Sequence, residues 1–357
     1  MMGLSVYRFL SRALADAPRL PGCLWVASVS ALLAATLTAC SDSPDAEERA
    51  LQTTRCISDV SAAQRHVFEC DGVRFDVLLT QQCIDAACGV IVDAHGFLSN
   101  PVQQEQRSNL ASIAAQRGGY IVIQPGELSE PSSWVPEVHY PIVADFLLQA
   151  LDAYAVDRDR VHFTGFSQGA LMTWQFICDY PELIASAAPI AAIEVSCFRN
   201  GSGPQQEVPV LFISGTGDLL VRYYNEITAL SVPYTLVNVM YDYGIVTQDA
   251  DQYTYSATGD LVVDVAGRIN TVAADADFTV VDGSADAGYL WTRYTSASGI
   301  VVEHLRHDNG HVYPDNPDSE LFPEEPTVWF SVGEALFDFF VRNPKRQSQT
   351  VQTSSGQ

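Results

Sequence analysis

The stretch Val161-His162-Phe163-Thr164-Gly165-Phe166-Ser167-Gln168-Gly169-Ala170-Leu171-Met172-Thr173-Trp174-Gln175-Phe176-Ile177 decides the fold. Its first four residues read as strand and its last eight as helix. Between them lies Gly165-x-Ser167-x-Gly169, so the chain runs strand, tight turn, helix, with a serine at the apex. A serine in such a turn has a strained backbone, and its hydroxyl projects above the sheet edge. Glycines flank it because a side chain at either position would strike the neighbouring strand or helix. The following helix aims its N-terminal amides at the serine, where an oxyanion would develop. Taken alone, the pentapeptide fits a solvated surface turn equally well; its surroundings decide for a nucleophile.

Working outward, Gly89–Ala94, Tyr120–Pro125 and Val208–Ile213 are apolar runs of the kind buried on both faces of a parallel sheet. Val73–Leu79 alternates as a half-exposed strand should. Helices fall between these runs. One lies around Ser108–Gln116, stopped by Gly118 and Gly119. Another covers 142–154, where apolar residues recur at helical spacing. Alternating strands and helices predict an α/β chain with a doubly wound, mostly parallel sheet. From about Tyr241 to Leu290 the pattern changes to a β-rich insertion, placed to roof the site. Its Asp275, Asp277, Asp282 and Asp286 fit no EF-hand spacing and read as a solvated acidic face, so no metal is expected. The sheet pattern resumes over Gly299–Leu305. An amphipathic helix, Val328–Val341, closes it, with Trp329, Phe330, Leu336, Phe337 and Phe340 packing on the sheet.

A serine nucleophile needs a base, an acid to orient that base, and oxyanion donors. Asp218 follows the run Pro209–Ile213 through Ser214-Gly215-Thr216-Gly217, which puts a carboxylate at the functional edge of a parallel sheet. His311 follows Gly310 in the loop after the last strand, where its Nε2 can reach Ser167. His307 is its rival, and His304 lies within the strand. Chain order Ser, Asp, His is that of the α/β-hydrolases. The second oxyanion donor belongs in the loop after an early strand; His95-Gly96-Phe97-Leu98 is so placed, giving the backbone N–H groups of Phe97 and Gln168 as the pair. His95 shapes that loop by hydrogen bonding. Trp134, Trp291 and Tyr313 are candidates to line a cleft, whereas Trp174 reads as core.

Four motifs in order, VIVDAHGF, VDRDRVHFTGFSQG, PVLFISGTGD and NGHVYP, resemble the poly(3-hydroxybutyrate) depolymerase and feruloyl esterase family of α/β-hydrolases. The resemblance covers roughly residues 70–235 and 288–341. It implies an α/β-hydrolase fold and a serine carboxylic ester hydrolase that uses Ser167, Asp218 and His311 without a cofactor. Hydroxyalkanoate oligomers or similar short esters are the implied substrates. A feruloyl or acetylxylan-type esterase on plant polysaccharide is the alternative; a serine peptidase of the same fold and a non-catalytic ligand-binding lipoprotein are lower ones. Ala170 departs from the family, where a glycine is frequent, and so does the 241–290 insertion.

The termini read as address rather than fold. Arg8, Arg12 and Arg19 precede an uncharged apolar stretch, Leu24–Leu37, of signal-peptide length. Leu37-Thr38-Ala39-Cys40 resembles a bacterial lipobox. Residues 1–39 are thus expected to be a lipoprotein signal, with Cys40 lipidated and 40–55 a tether to the bacterial outer membrane. The catalytic domain is expected over 56–343, with a disordered tail at 344–357. Six further cysteines, Cys56, Cys70, Cys83, Cys88, Cys178 and Cys197, suit three disulfides in an oxidising compartment. Sequence allows fifteen pairings, of which the sequential one is the expectation. The net charge of −24 falls on a chain whose only lysine is Lys345, which excludes nucleic acid as a partner. Sequence is silent on oligomeric state.

Overall fold

The computed structural model describes residues 56–58, 61–128, 132–192, 196–199, 203–220, 234–249, 261–263, 269–272, 275–316 and 325–345. The expected signal, lipidation site and tether lie outside them, as does most of the expected tail. The tail's first residues are bound: the Lys345 amide donates to the Asp159 carbonyl at 2.6 Å, and its ammonium donates to the Glu182 carbonyl.

In chain order the elements are β1 (Arg65–Cys70), β2 (Val73–Leu78), α1 (Gln81–Asp85), β3 (Cys88–Ala94), α2 (Pro101–Ser108), α3 (Leu110–Arg117), β4 (Tyr120–Glu127), α4 (Pro136–Ala153), β5 (Val156–Phe166), α5 (Gln168–Asp179), β6 (Ser186–Ile190), α6 (Ser196–Arg199), β7 (Val210–Gly215), α7 (Tyr234–Asp242), β8 (Val246–Asp249), β9 (Leu261–Val263), β10 (Ile269–Val272), β11 (Asp277–Ser284), β12 (Tyr289–Thr295), β13 (Val301–His307) and α8 (Val332–Arg342). The main sheet has the order β1-β2-β4-β3-β5-β6-β7-β13-β12-β11. From β4 to β13 neighbouring strands run parallel; β1–β2 and β11–β12 add antiparallel edges. The chain steps from β3 out to β4, then crosses back to the other side of β3 as β5. This reversal makes the C-terminal ends of β3 and β5 a topological switch point, the place where α/β sheets bind ligands. The order and the elbow below make this an α/β-hydrolase fold.

The core follows from strand alternation. Val90, Val92, Val161, Phe163, Val210 and Phe212 join one buried cluster with α4, α5 and α7. Ile91, Leu211 and Ile213, at the alternate strand positions, join a second cluster with α3 and α8 on the other face. The β1–β2 hairpin turns at Asp71 (φ 51°) and Gly72 (φ 85°), the paired positive φ of a tight two-residue turn. The cysteines pair as Cys56–Cys70, Cys83–Cys88 and Cys178–Cys197, with Cα separations of 6.0, 5.2 and 5.7 Å.

Several expectations need correction. The helix expected around Ser108–Gln116 is α3, but a second helix, α2, was not expected ahead of it; the two are separated at Asn109, whose φ is 53°. Asn100-Pro101 announces the first of them: Asn100 Oδ1 accepts the Gln103 amide at 3.0 Å, and Pro101 has no amide to satisfy. β2 is not half exposed; it is covered on both faces, and buried Asp76 is paired with Arg74 and Arg65. The 241–290 stretch is not one insertion. β8, β10 and β9 form a separate three-stranded sheet, whereas β11 and β12 prolong the main one. Asp275, Asp277 and Asp286 are exposed and Asp282 is half-buried, on or beside edge strand β11, where charge discourages further pairing. Trp329 does not pack on the sheet. It is 78% exposed just ahead of α8, and its Nε1–H donates to the Tyr289 hydroxyl at 2.6 Å.

Candidate active site

Ser167 sits between β5 and α5 with φ 54° and ψ −114°, a sparsely populated conformation for a non-glycine residue. Two glycines make that turn possible. A Cβ on Gly165 would lie 2.5 Å from the Gly169 carbonyl carbon, and one on Gly169 would overlap the Ala94 carbonyl oxygen. The elbow is therefore pressed against the end of β3. The Ser167 amide donates to the Ile190 carbonyl at 2.9 Å, tying the turn to β6.

Asp218 and His311 converge on this serine. The His311 Nδ1–H donates to Asp218 Oδ2 at 2.6 Å. A carboxylate only accepts, so Nδ1 carries the proton and Nε2 is left as acceptor. The Ser167 hydroxyl donates to that Nε2 at 2.8 Å. Asp218 is 5% exposed, and its Oδ1 accepts the Leu220 amide at 2.8 Å, which fixes the carboxylate plane. The acid loop and the histidine loop touch backbone to backbone. The Thr216 and Gly217 amides donate to the His307 and Asn309 carbonyls at 2.8 and 3.1 Å. A Cβ on Gly217 would press on Asp308 O at 3.1 Å, which explains the glycine.

The loop expected to supply an oxyanion donor lies beside Ser167. Gly96 to Ser99 closes as a turn through the Ser99 amide and the Gly96 carbonyl, 3.2 Å. A Cβ on Gly96 would lie 3.1 Å from Ser167 Cβ, so this turn abuts the nucleophile. Among the described residues the Phe97 amide has no acceptor. Gln168 opens α5, where an amide has no acceptor within the helix. The His95 Nδ1–H donates to the Gly96 carbonyl at 2.7 Å, and burial holds this imidazole down at about 4, hence neutral.

Ser167 meets His311, not either rival histidine. His307 is fully buried on β13, and burial lowers it to about 3. His304 is also lowered to about 3 by burial, then by Arg306; its Nε2 pairs with Ser214 Oγ at 3.0 Å and its ring stacks on Phe212.

The three cleft aromatics are corrected to buried supports. Trp134 is 4% exposed; its Nε1–H donates to the His95 carbonyl at 2.8 Å, and its amide donates to Gln168 Oε1 at 3.1 Å. It braces the oxyanion loop rather than lining a cleft. Tyr313 is 1% exposed and stacks on Phe166. Trp291 is 8% exposed on β12, with Nε1–H donating to Glu303 at 2.9 Å. Aromatic residues near a motif are as useful in packing as in binding, and sequence does not separate the two.

Sequence reasoning missed Asp93. It is fully buried at the end of β3, and burial raises it to about 6 against the hydrogen bonds it accepts from Ser108, Gln104 and Gln124. The signal was a carboxylate inside a run otherwise apolar enough for burial on both faces.

No family model matches the chain. A bifunctional acetylxylan esterase/xylanase of Neocallimastix patriciarum is 25% identical over 138 residues, 38% of this chain and 20% of that protein. A probable acetylxylan esterase A of Aspergillus terreus is 30% identical over 103 residues, 26% of this chain and 33% of that one. Among solved structures, an acetyl xylan esterase from Aspergillus awamori is 14% identical and covers 76% of this chain and 94% of that one, with a TM-score of 0.46. The matched stretches span a fifth to a third of the two curated relatives' lengths, so what the chain shares with them is local similarity to acetylxylan esterases.

Proposed function

We propose that the protein is a serine carboxylic ester hydrolase of the acetylxylan-esterase kind, removing short acyl groups from polysaccharide esters. The hydrogen-bonded line from Ser167 through His311 to Asp218, at 2.8 and 2.6 Å, carries this reading. Ser167 Oγ attacks the acyl carbonyl while His311 Nε2 takes its proton. The tetrahedral oxyanion faces the amides of Phe97 and Gln168. His311 then protonates the departing alkoxide, leaving an acyl-enzyme. Water, deprotonated by the same imidazole, releases the acid. Asp218 stabilises the imidazolium in both steps.

The curated relatives favour the polysaccharide-ester alternative over hydroxyalkanoate oligomers, which retain only the motif resemblance. Secretion accords with the three disulfides. The lipid anchor at Cys40 is our proposal from the sequence, and Cys40→Ala would shift the protein from the membrane to the soluble fraction.

The purified protein and its Ser167→Ala variant should be compared on acetylated xylan oligomers, p-nitrophenyl acetate and octanoate, methyl ferulate and 3-hydroxybutyrate oligomers. Release of acetate from xylan by the parent alone supports the reading. Cleavage of only the hydroxybutyrate oligomers would return it to the depolymerase kind. No cleavage of any ester would favour a ligand-binding protein.

A further inference from the structure

Helix α2 joins the oxyanion loop to the histidine loop. It begins just after the turn at Gly96–Ser99, and its buried side reaches the chain beyond His311. Gln104 Nε2 donates to Asp93 Oδ1 at 2.6 Å and to the Tyr313 hydroxyl oxygen at 3.0 Å. Asp93 Oδ2 accepts from Ser108 Oγ at 2.6 Å and from Gln124 Nε2 at 3.1 Å. Asp93, Gln104 and Ser108 are wholly inaccessible. The Tyr313 ring stacks on Phe166, 5.2 Å between centroids, and the Phe166 ring lies 4.9 Å from the His311 imidazole. One turn further, Asn316 Nδ2 donates to the Gln106 carbonyl at 3.1 Å.

We propose that Asp93, Gln104 and Tyr313 form a positioning relay for the hydrolysis, fixing the histidine loop against the nucleophile elbow and the oxyanion loop. The direction of the bonds supports this. A carboxylate only accepts, so Asp93 dictates that Gln104 turn its amide nitrogen inward. The second proton of that nitrogen then meets Tyr313. Both protons of the Gln104 amide are thereby committed inside the protein, one to Asp93 and one to Tyr313. The benefit is register. His311 lies between Gly310, which gives the loop freedom, and Tyr313, two residues on, which removes it. A displacement of about 1 Å at the imidazole would break the proton path from Ser167. None of the three residues touches a reacting atom, so they act through His311 and not as catalytic residues.

The kinetic part of the test rests on the esterase reading; the spectroscopic part does not. Tyr313→Phe keeps the ring and its stack but removes the hydroxyl, and Gln104→Met supplies a second variant should the first fold poorly. In full-length protein, kcat and KM are measured on p-nitrophenyl acetate, with active enzyme counted by stoichiometric labelling with a fluorophosphonate. The downfield proton resonance of the His311 Nδ1–H is recorded in parallel. Tyr313→Phe should lower kcat about tenfold with KM within about twofold, since only transition-state alignment suffers. The imidazole resonance should move or broaden. Asp93→Asn combined with Tyr313→Phe should lose little more than either alone, as members of one relay do. Parental kcat and an unmoved resonance in both single variants would overturn the relay, and so would fully additive losses. Should the parent cleave no ester, the esterase reading fails, and the resonance decides the relay by itself: moved in Tyr313→Phe, it stands; unmoved, it falls.

Discussion

The nucleophile elbow and the histidine loop meet through the 2.8 Å Ser167–His311 hydrogen bond and the ring contacts of Phe166, yet opposite means hold them. The elbow is fixed from within. Gly165 and Gly169 lie two residues either side of Ser167 and let its backbone press on Ala94. The histidine loop is fixed from outside: Asp218 holds His311, Gln104 holds Tyr313, the Asp315 carboxylate accepts the Val332 amide at 2.7 Å, and Asn309 Nδ2 donates to the Glu325 carbonyl at 2.8 Å. The difference teaches where each region is vulnerable. Errors at the elbow glycines damage the fold, and errors in the loop damage chemistry while the sheet survives.

The largest expected effect is on turnover. Ser167→Ala should cost about a millionfold in kcat with a native melting profile. Asp218→Asn should cost about ten-thousandfold, because the imidazole loses its fixed tautomer. Both are read from ester hydrolysis beside a thermal melt. If Asp218→Asn unfolds the protein, the loop is structural and the contrast fails.

Gly169→Ala inverts that profile. Its Cβ would enter the Ala94 carbonyl, so β3 and β5 must separate or the elbow must open. A loss of several kcal/mol is expected, seen as a large drop in melting temperature or no soluble protein. Gly217→Ala, whose Cβ would meet Asp308 O at 3.1 Å, should be milder. Equal melting of Gly169→Ala and the parent would break the comparison from the other side.

The same division explains what the sequence disclosed. The elbow was legible because its causes are adjacent: strand, glycine, serine, glycine and helix follow one another. So were the doubly wound sheet and the meeting of Asp218 and His311 with Ser167, since both follow strand ends. The brace made by Trp134, the relay through Asp93 and Gln104, and the burial of Tyr313 were not, because each depends on a partner remote in sequence; Gln104 and Tyr313 are 209 positions apart. The 241–290 stretch misled for a related reason. Edge strands β11 and β12 carry the same alternation as a separate small sheet, and only hydrogen-bond register assigns them to the main one.

Acid should separate the strand from the loop it feeds. Burial holds His304 and His307 on β13, and His162 on β5, at about 3 against an ordinary 6.5. Unfolded, these residues take up protons below pH 6.5, whereas folded they do not. Stability is therefore full above pH 6.5 and declines toward pH 3, by about 1.4 kcal/mol per pH unit for each histidine. Asp93 acts with the opposite sign. Burial raises it from 3.8 to about 6, so the folded state takes up its proton first and regains part of that loss below pH 6. Thermal melts between pH 7 and 4 should fall steadily. His307→Leu, which removes ring nitrogens with no partner among the described residues, should flatten the fall by one histidine's share. An unchanged slope would mean that His307 is protonated in the folded chain.

The smallest effect tests the strain itself. Ser167→Gly and Ser167→Ala both abolish the nucleophile and the bond to His311, so their difference isolates the backbone. At an ordinary position glycine is less stable than alanine by about 0.5–1 kcal/mol, because the unfolded chain gains freedom. At φ 54° and ψ −114° the order should reverse. Alanine keeps a Cβ where strain is worth roughly 1–3 kcal/mol, and glycine does not. Ser167→Gly should therefore melt higher than Ser167→Ala by about 1 kcal/mol of stability once the entropy of glycine is subtracted. The opposite order would mean that Ser167 rests comfortably in the turn. The elbow would then be held, like the histidine loop, by its neighbours rather than by its own glycines.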